Sequence, residues 1–140
     1  MRKGFTLLEM AVGLMILSML IYMAATSFLN LAPKYRLEKA VWELCSALQS
    51  AKYRSIFEGV SVRVKLYSAS YAVEKYRVDL KEWALHEKHA LEGVKLEANN
   101  APLFTPDGMT SGLATITVSN SWGAYKITVA ITGRIKTTRL

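Results

Sequence analysis

The chain has 140 residues, 51% of them hydrophobic, and a net charge of +7. That length holds one domain with a modest core, plus an anchor, and excludes two domains. Cys45 is the only cysteine, which excludes an internal disulfide and leaves a small apolar side chain as its plain reading.

The front of the chain is the most informative stretch. No charged side chain occurs from Met10 to Pro33, and Met10 to Leu29 is almost wholly apolar. Twenty helical residues rise about 30 Å, the thickness of a bilayer's hydrocarbon core. Immediately before that run sits one carboxylate, Glu9, and before it the basic head Arg2-Lys3-Gly4. A secretory signal peptide shares the basic head, the apolar middle and small residues at Ala24, Ala25 and Ser27. Its apolar region is normally shorter, and Glu9 interrupts the approach. A single-pass anchor with its positive end inside explains everything but Glu9. A buried core helix fails, because so short a chain has nothing to wrap a cylinder that is apolar all round.

Lys3-Gly4-Phe5-Thr6-Leu7-Leu8-Glu9 resembles the type III signal of type IV pilins and type II secretion pseudopilins. The resemblance implies a prepilin peptidase that cuts between Gly4 and Phe5 and methylates the new N-terminal Phe5. It also makes Glu9 the glutamate of the motif, an assembly residue. Residues 1–4 are then a leader, and losing Arg2 and Lys3 takes the charge from +7 to +5. Physical chemistry points the same way: a carboxylate among packed apolar helices stays ionised only when paired. The α-amino group freed at Phe5, in the same or a neighbouring subunit, is the expected partner.

After the apolar run, which gives a membrane or filament-core helix over 5–33, Pro33 is expected to kink or break the helix. Leu37, Val41, Leu44, Leu48 and Ala51 then recur at spacings of four and three, predicting an amphipathic stem helix over 34–58, stopped by Gly59. Val60 to Leu66 alternates apolar and polar residues and predicts a strand, with Tyr71 to Val78 as its hairpin partner. Residues 79–92 read as strand or short helix, with strand preferred. Val94 to Ala98 predicts a short strand, and Thr105-Pro106-Asp107-Gly108 a turn. Ala114 to Ser119 and Tyr125 to Ile131 predict a hairpin across Asn120-Ser121-Trp122-Gly123.

Phe104-Thr105-Pro106-Asp107-Gly108 and Ile131-Thr132-Gly133-Arg134-Ile135-Lys136 are similar to the C-terminal signature of the GspH/FimT family of filament proteins. The fold expected is therefore α+β: a long N-terminal transmembrane and stem helix packed on an antiparallel β-sandwich, with 59–140 as the β-rich globular part. The function implied is a minor pseudopilin of the type II secretion pseudopilus. Its partners would be the prepilin peptidase, the inner membrane before assembly, and other pilins in a filament, with the globular part periplasmic.

The alternative is a DNA-binding minor pilin of a DNA-uptake pilus. FimT-like relatives carry a basic GRxR-type tail, and here the second arginine is Lys136, which keeps charge but loses the planar fork. Residues 100–140 hold Lys126, Arg134, Lys136 and Arg139 against Asp107 alone, a +3 excess. Counted along one strand, Lys126, Arg134 and Lys136 share the outward face with Thr128 and Thr132, with Arg139 just beyond. Tyr125, Ile127, Val129, Ile131 and Ile135 then face inward. These four cations are the candidate DNA contacts, joined by Arg63 or Lys65 if that strand is adjacent. The plain reading is a solvated strand face that keeps an edge from aggregating.

Nothing points to catalysis, to a metal or to a cofactor. His86 and His89 lack the spacing of a zinc-binding helix, and on a strand their three-residue offset puts them on opposite faces. No phosphate-binding glycine loop or nucleophile elbow occurs. The chain is expected to be the substrate of an enzyme rather than one itself.

Overall fold

The computed structural model describes residues 4–140, apart from the side chains of Ser27, Leu29 and Asn30. Arg2 and Lys3 of the expected leader lie outside the described residues. The chain divides into two compact units that meet between Ala32 and Pro33.

One helix, α1, runs Leu7–Glu58 and contains Pro33. The break expected at Pro33 does not occur. In the first unit every described side chain from Phe5 to Thr26, and Phe28, is exposed. An 18-residue window here reaches a mean hydropathy of 2.1, long and apolar enough to cross a bilayer. The hydroxyls of Ser18 and Thr26 donate to helix carbonyls one turn earlier, Met15 and Met23, so neither needs water.

In the second unit the helix has a buried stripe. Leu37, Leu44 and Leu48 are fully buried and Ala40, Val41 and Ala51 nearly so, at the spacing the sequence set. Gly59 ends the helix at φ +66°, the left-handed conformation that only glycine adopts at little cost.

Eight strands follow: β1 (Val62–Tyr67), β2 (Ser70–Arg77), β3 (Glu82–Ala90), β4 (Lys95–Ala98), β5 (Leu103–Phe104), β6 (Ala114–Asn120), β7 (Gly123–Val129) and β8 (Ile135–Arg139). They form two four-stranded sheets in the orders β3-β2-β1-β5 and β4-β6-β7-β8, with every pairing antiparallel. Residues 82–90 are thus strand, the preferred of the two readings. Val62, Val64, Val73 and Phe104 from the first sheet join Leu96, Ile116, Val118, Ile127 and Val129 from the second in one core with the helix stripe. The α+β architecture is the one expected.

Two details of the strands overturn the residue counting. The last predicted strand is a hairpin: β7 stops at Val129, a turn over Ala130–Gly133 is closed by Gly133 N–H donating to the Ala130 carbonyl at 2.9 Å, and β8 returns. Ile131 sits in that turn and is exposed, not inward. In the β2–β3 pair the register slips between Val73 and Glu74, so that Glu87 and Leu85 are paired and His86 between them is extra, a β-bulge.

Candidate functional site

The chain's first turn contains the Gly4-Phe5-Thr6-Leu7-Leu8-Glu9 stretch that the sequence singles out. Gly4, Phe5 and Thr6 precede the helix, Phe5 is 83% exposed, and nothing lies within 4 Å of Gly4 where a side chain would be. The Gly4–Phe5 peptide bond is therefore open to an enzyme that binds extended chain. Thr6 and Glu9 form a reciprocal cap. The Thr6 N–H donates to Glu9 Oε2 at 2.8 Å and its hydroxyl at 3.0 Å, while the Glu9 N–H donates to the Thr6 hydroxyl oxygen at 3.2 Å. This is a capping box, which satisfies amides that the first helical turn leaves without partners. Its sequence signal is a threonine three residues before a glutamate. Both bonds fall on one oxygen; Glu9 Oε1 has no hydrogen-bond partner among the described residues.

The basic tail is arranged by the β7–β8 hairpin. Register pairs Thr128 with Lys136 and Lys126 with Thr138, so these four side chains share a face. With Ala130, Arg134 and Leu140 they line one open depression. Lys126, Arg134 and Lys136 thus come together as expected, through a hairpin rather than a single strand. No ion pair neutralises any of them among the described residues.

Arg139 does not join them. It pairs in register with Tyr125, on the opposite face, and its guanidinium lies 4.3 Å from the Trp122 ring centre. Arg63 and Lys65 do not join either. They belong to the other sheet, and both pair with Glu74, Lys65 at 3.1 Å. Burial pushes the Glu74 carboxyl up, but these two cations bring it below its ordinary value.

The glycines of the C-terminal signature have a structural reason. Gly108 and Gly133 both have positive φ, at +80° and +69°, and touch: a Cβ on Gly133 would lie 2.5 Å from the Gly108 carbonyl oxygen. Helix α1 reaches into this junction twice. Lys52 Nζ donates to the carbonyls of Thr132 and Gly133 at 3.3 and 3.2 Å, and the buried Ser55 hydroxyl bonds the Lys52 and Thr105 carbonyls. Asp107 shapes the turn by accepting from the Thr105 hydroxyl and, at 3.2 Å, the Met109 N–H. The Thr105 hydroxyl, then the Met109 amide, hold its carboxyl below the ordinary range. The turn carrying Arg134 is therefore fixed by the helix, a role for Lys52 that no spacing in the sequence signals.

The histidines are closer than strand parity allows, because the bulge at His86 shifts it toward its neighbours. His86 Nε2 is 3.0 Å from Glu87 Oε1 and His89 Nε2 is 3.5 Å from Glu87 Oε2, with Arg54 of the helix at 3.3 Å from the same carboxylate. The opposite-face expectation is thus corrected. A cation already occupies the carboxylate, and no group of three potential ligands is set to hold a metal among the described residues. Cys45 is half-buried against the core, its sulfur 3.3 Å from the Thr137 hydroxyl oxygen, so it ties the helix to β8.

Residues 1–25 match the family model described as the prokaryotic N-terminal methylation motif. No curated protein matches the sequence. Among solved structures the chain is similar to the minor pseudopilin EpsH from the type 2 secretion system of Vibrio cholerae. The TM-score is 0.65 at 12% identity, over 74% of this chain and 97% of that one. A second structure of that pseudopilin gives 0.63 at 12% identity, over 74% and 94%. The type IV minor pilin FimU of Pseudomonas aeruginosa gives 0.62 at 15% identity, over 75% and 90%. At such identities the likeness is one of fold. Motif and fold together give the chain a GspH/FimT-like pilin architecture.

Proposed function

We propose that the chain is a minor pseudopilin: a structural subunit, not an enzyme, that a prepilin peptidase trims between Gly4 and Phe5 and methylates at Phe5. Before assembly its apolar helix lies in the inner membrane with the folded unit in the periplasm. On assembly the helix moves into the core of a type II secretion pseudopilus. That transfer exchanges one dry medium for another, so its cost is small provided that every polar group finds a partner.

The observation that carries this reading is Glu9. It is the single charge in the described helix up to Pro33, and one of its oxygens is committed to Thr6 while the other is open. The cap survives cleavage, because the Thr6 amide remains an amide when the bond before Phe5 is cut. The open oxygen is then available to the ammonium of Phe5, from the same or an adjacent subunit, and sets the stagger between helices.

Filament assembly in cells separates the two roles of this carboxylate. Glu9→Gln keeps an acceptor for the cap and removes the charge; Thr6→Ala removes the cap's hydroxyl and keeps the charge. Assembly should be lost with Glu9→Gln and largely retained with Thr6→Ala. Equal assembly by Glu9→Gln and the parent would reject the ammonium pairing.

A second reading rests on the depression lined by Lys126, Arg134 and Lys136: a minor pilin that holds DNA for uptake. Three phosphate contacts give a salt slope of about −2.7, or about a 40-fold loss of affinity between 50 and 200 mM salt. A gel shift of the full chain in detergent, with duplex DNA over that series, should show this dependence and lose it with Arg134→Gln plus Lys136→Gln. No shift at low salt counts against DNA and leaves secretion as the function.

A further inference from the structure

A second cluster of cations lies around the first residues of the folded unit, directly after the apolar run in the chain. Lys34 is five residues beyond Leu29, about 7 Å at helical rise, and Arg36 about 3 Å more. Each interfacial layer of a bilayer is about 5–7 Å thick, so Lys34 starts at the outer edge of the headgroups and Arg36 a few Å beyond, a distance that a long cationic side chain spans.

The β6–β7 turn is tied to the same level. Asn120 Nδ2 donates to the Pro33 carbonyl at 2.7 Å, and the ring centre of Trp122 in that turn is 5.6 Å from Lys34 Nζ and 4.3 Å from the Arg139 guanidinium. Trp122 is half-exposed, and its N–H edge and apolar face suit the boundary between headgroup and acyl chain. The cations here, like those of the basic depression, are left without carboxylate partners among the described residues, whereas most cations of the first sheet are neutralised. Arg54, Arg63, Lys65, Lys75, Arg77 and Lys95 all have carboxylate partners. Lys34, Arg36 and Arg139 have none among the described residues. This also accounts for Arg139 standing apart from the basic depression.

We propose that Lys34, Arg36, Trp122 and Arg139 form a collar that docks the folded unit on anionic phospholipid headgroups while the chain is membrane-anchored. The proposal rests on the anchored stage of the reading above and adds a lipid partner to it. The collar holds the unit against the bilayer until assembly, and neighbouring subunits must then displace the lipid. Each cation near an anionic surface contributes roughly a factor of five to contact, so removing two lowers the ratio of docked to undocked collar about 30-fold.

The test uses the full chain with Trp42→Phe and Trp83→Phe, which leaves Trp122 as the only fluorophore of its kind, in vesicles carrying a nitroxide-headgroup lipid. Flotation comes first: a chain that does not float with vesicles overturns the anchor, and the collar with it. For a chain that floats, Trp122 quenching should be several-fold stronger in phosphatidylglycerol than in phosphatidylcholine vesicles. It should fall to the phosphatidylcholine level with Lys34→Gln plus Arg139→Gln. Equal quenching in the two lipids overturns the collar and leaves the anchor standing. Shielding of Trp122 that arises only when other pilin subunits are added also overturns it, and makes this end a protein contact instead.

Discussion

Replacing Gly133 by alanine isolates what the junction under the basic tail contributes, because Gly59 provides a matched control. The two glycines have nearly the same backbone, φ +69° and +66°. Alanine in that left-handed region costs about 1 kcal/mol at either position. The loss of unfolded-state freedom is also shared and cancels in the difference. What differs is the space. Nothing lies within 4 Å of a Cβ at Gly59, whereas at Gly133 it would meet the Gly108 carbonyl oxygen at 2.5 Å and Lys52 Cε and Nζ at 2.8 Å. Carbonyl and helix are both held in place, so the new methyl forces a backbone shift worth about 1–3 kcal/mol. Moving Lys52 off its two carbonyls removes about 1 kcal/mol more. Gly133→Ala should therefore cost about 3 kcal/mol more than Gly59→Ala. Urea unfolding of the full chain in detergent micelles, followed by tryptophan fluorescence, measures both. With a slope of about 1–2 kcal/mol per molar, the midpoints should differ by about 1.5–3 M. Midpoints lowered equally by the two variants would refute the close contact and the anchoring by Lys52.

The ion pair that closes the end of the helix predicts a pH dependence. The Lys75 ammonium, 2.7 Å from Glu58 Oε2, holds the Glu58 carboxyl below its ordinary value. The stabilisation is thus complete above the ordinary carboxylate pKa, about 4.3, and is lost as pH falls through the lowered value. Urea midpoints of the parent should exceed those of Lys75→Met at pH 6 and converge with them in stronger acid; a gap that persists there would show that packing, not charge, is the source. Ser55→Ala removes a fully buried hydroxyl bonded to Lys52 and Thr105 carbonyls, and should cost about 1 kcal/mol in the same titration. An unchanged midpoint would remove Ser55 from the junction.

What the sequence made legible was periodic or local. The stripe from Leu37 to Ala51 and the alternation in β1 and β6 are set by which side chains need burial, and the structure follows them. The Gly4-Phe5 motif and Glu9 stand out because a charge beside a long apolar run needs a reason. Counting residues failed where a strand changed direction. Arg134 and Lys136 kept the face given to them only because the Ala130–Gly133 turn and the return of β8 restore the register with Lys126. The same reversal sent Ile131 to the surface, while Arg139, three residues from Lys136 on one strand, falls on the other face by plain alternation. His86 failed for a similar reason, since a bulge adds a residue without any signature in composition. Pro33 stays within the helix: it withholds one N–H from the Leu29 carbonyl, and the helix runs on to Glu58 without that bond. Lys52 was invisible because its partners are backbone carbonyls 80 residues away.

The most direct measurement is the mass of the N-terminal peptide of the chain recovered from cells that contain an active prepilin peptidase. A processed subunit begins at Phe5 and carries one added methyl group. A chain that still begins at Met1, or that begins after Ala24, Ala25 or Ser27 as a cleaved secretory signal would leave it, contradicts the pilin reading and removes the amine that Glu9 is proposed to meet.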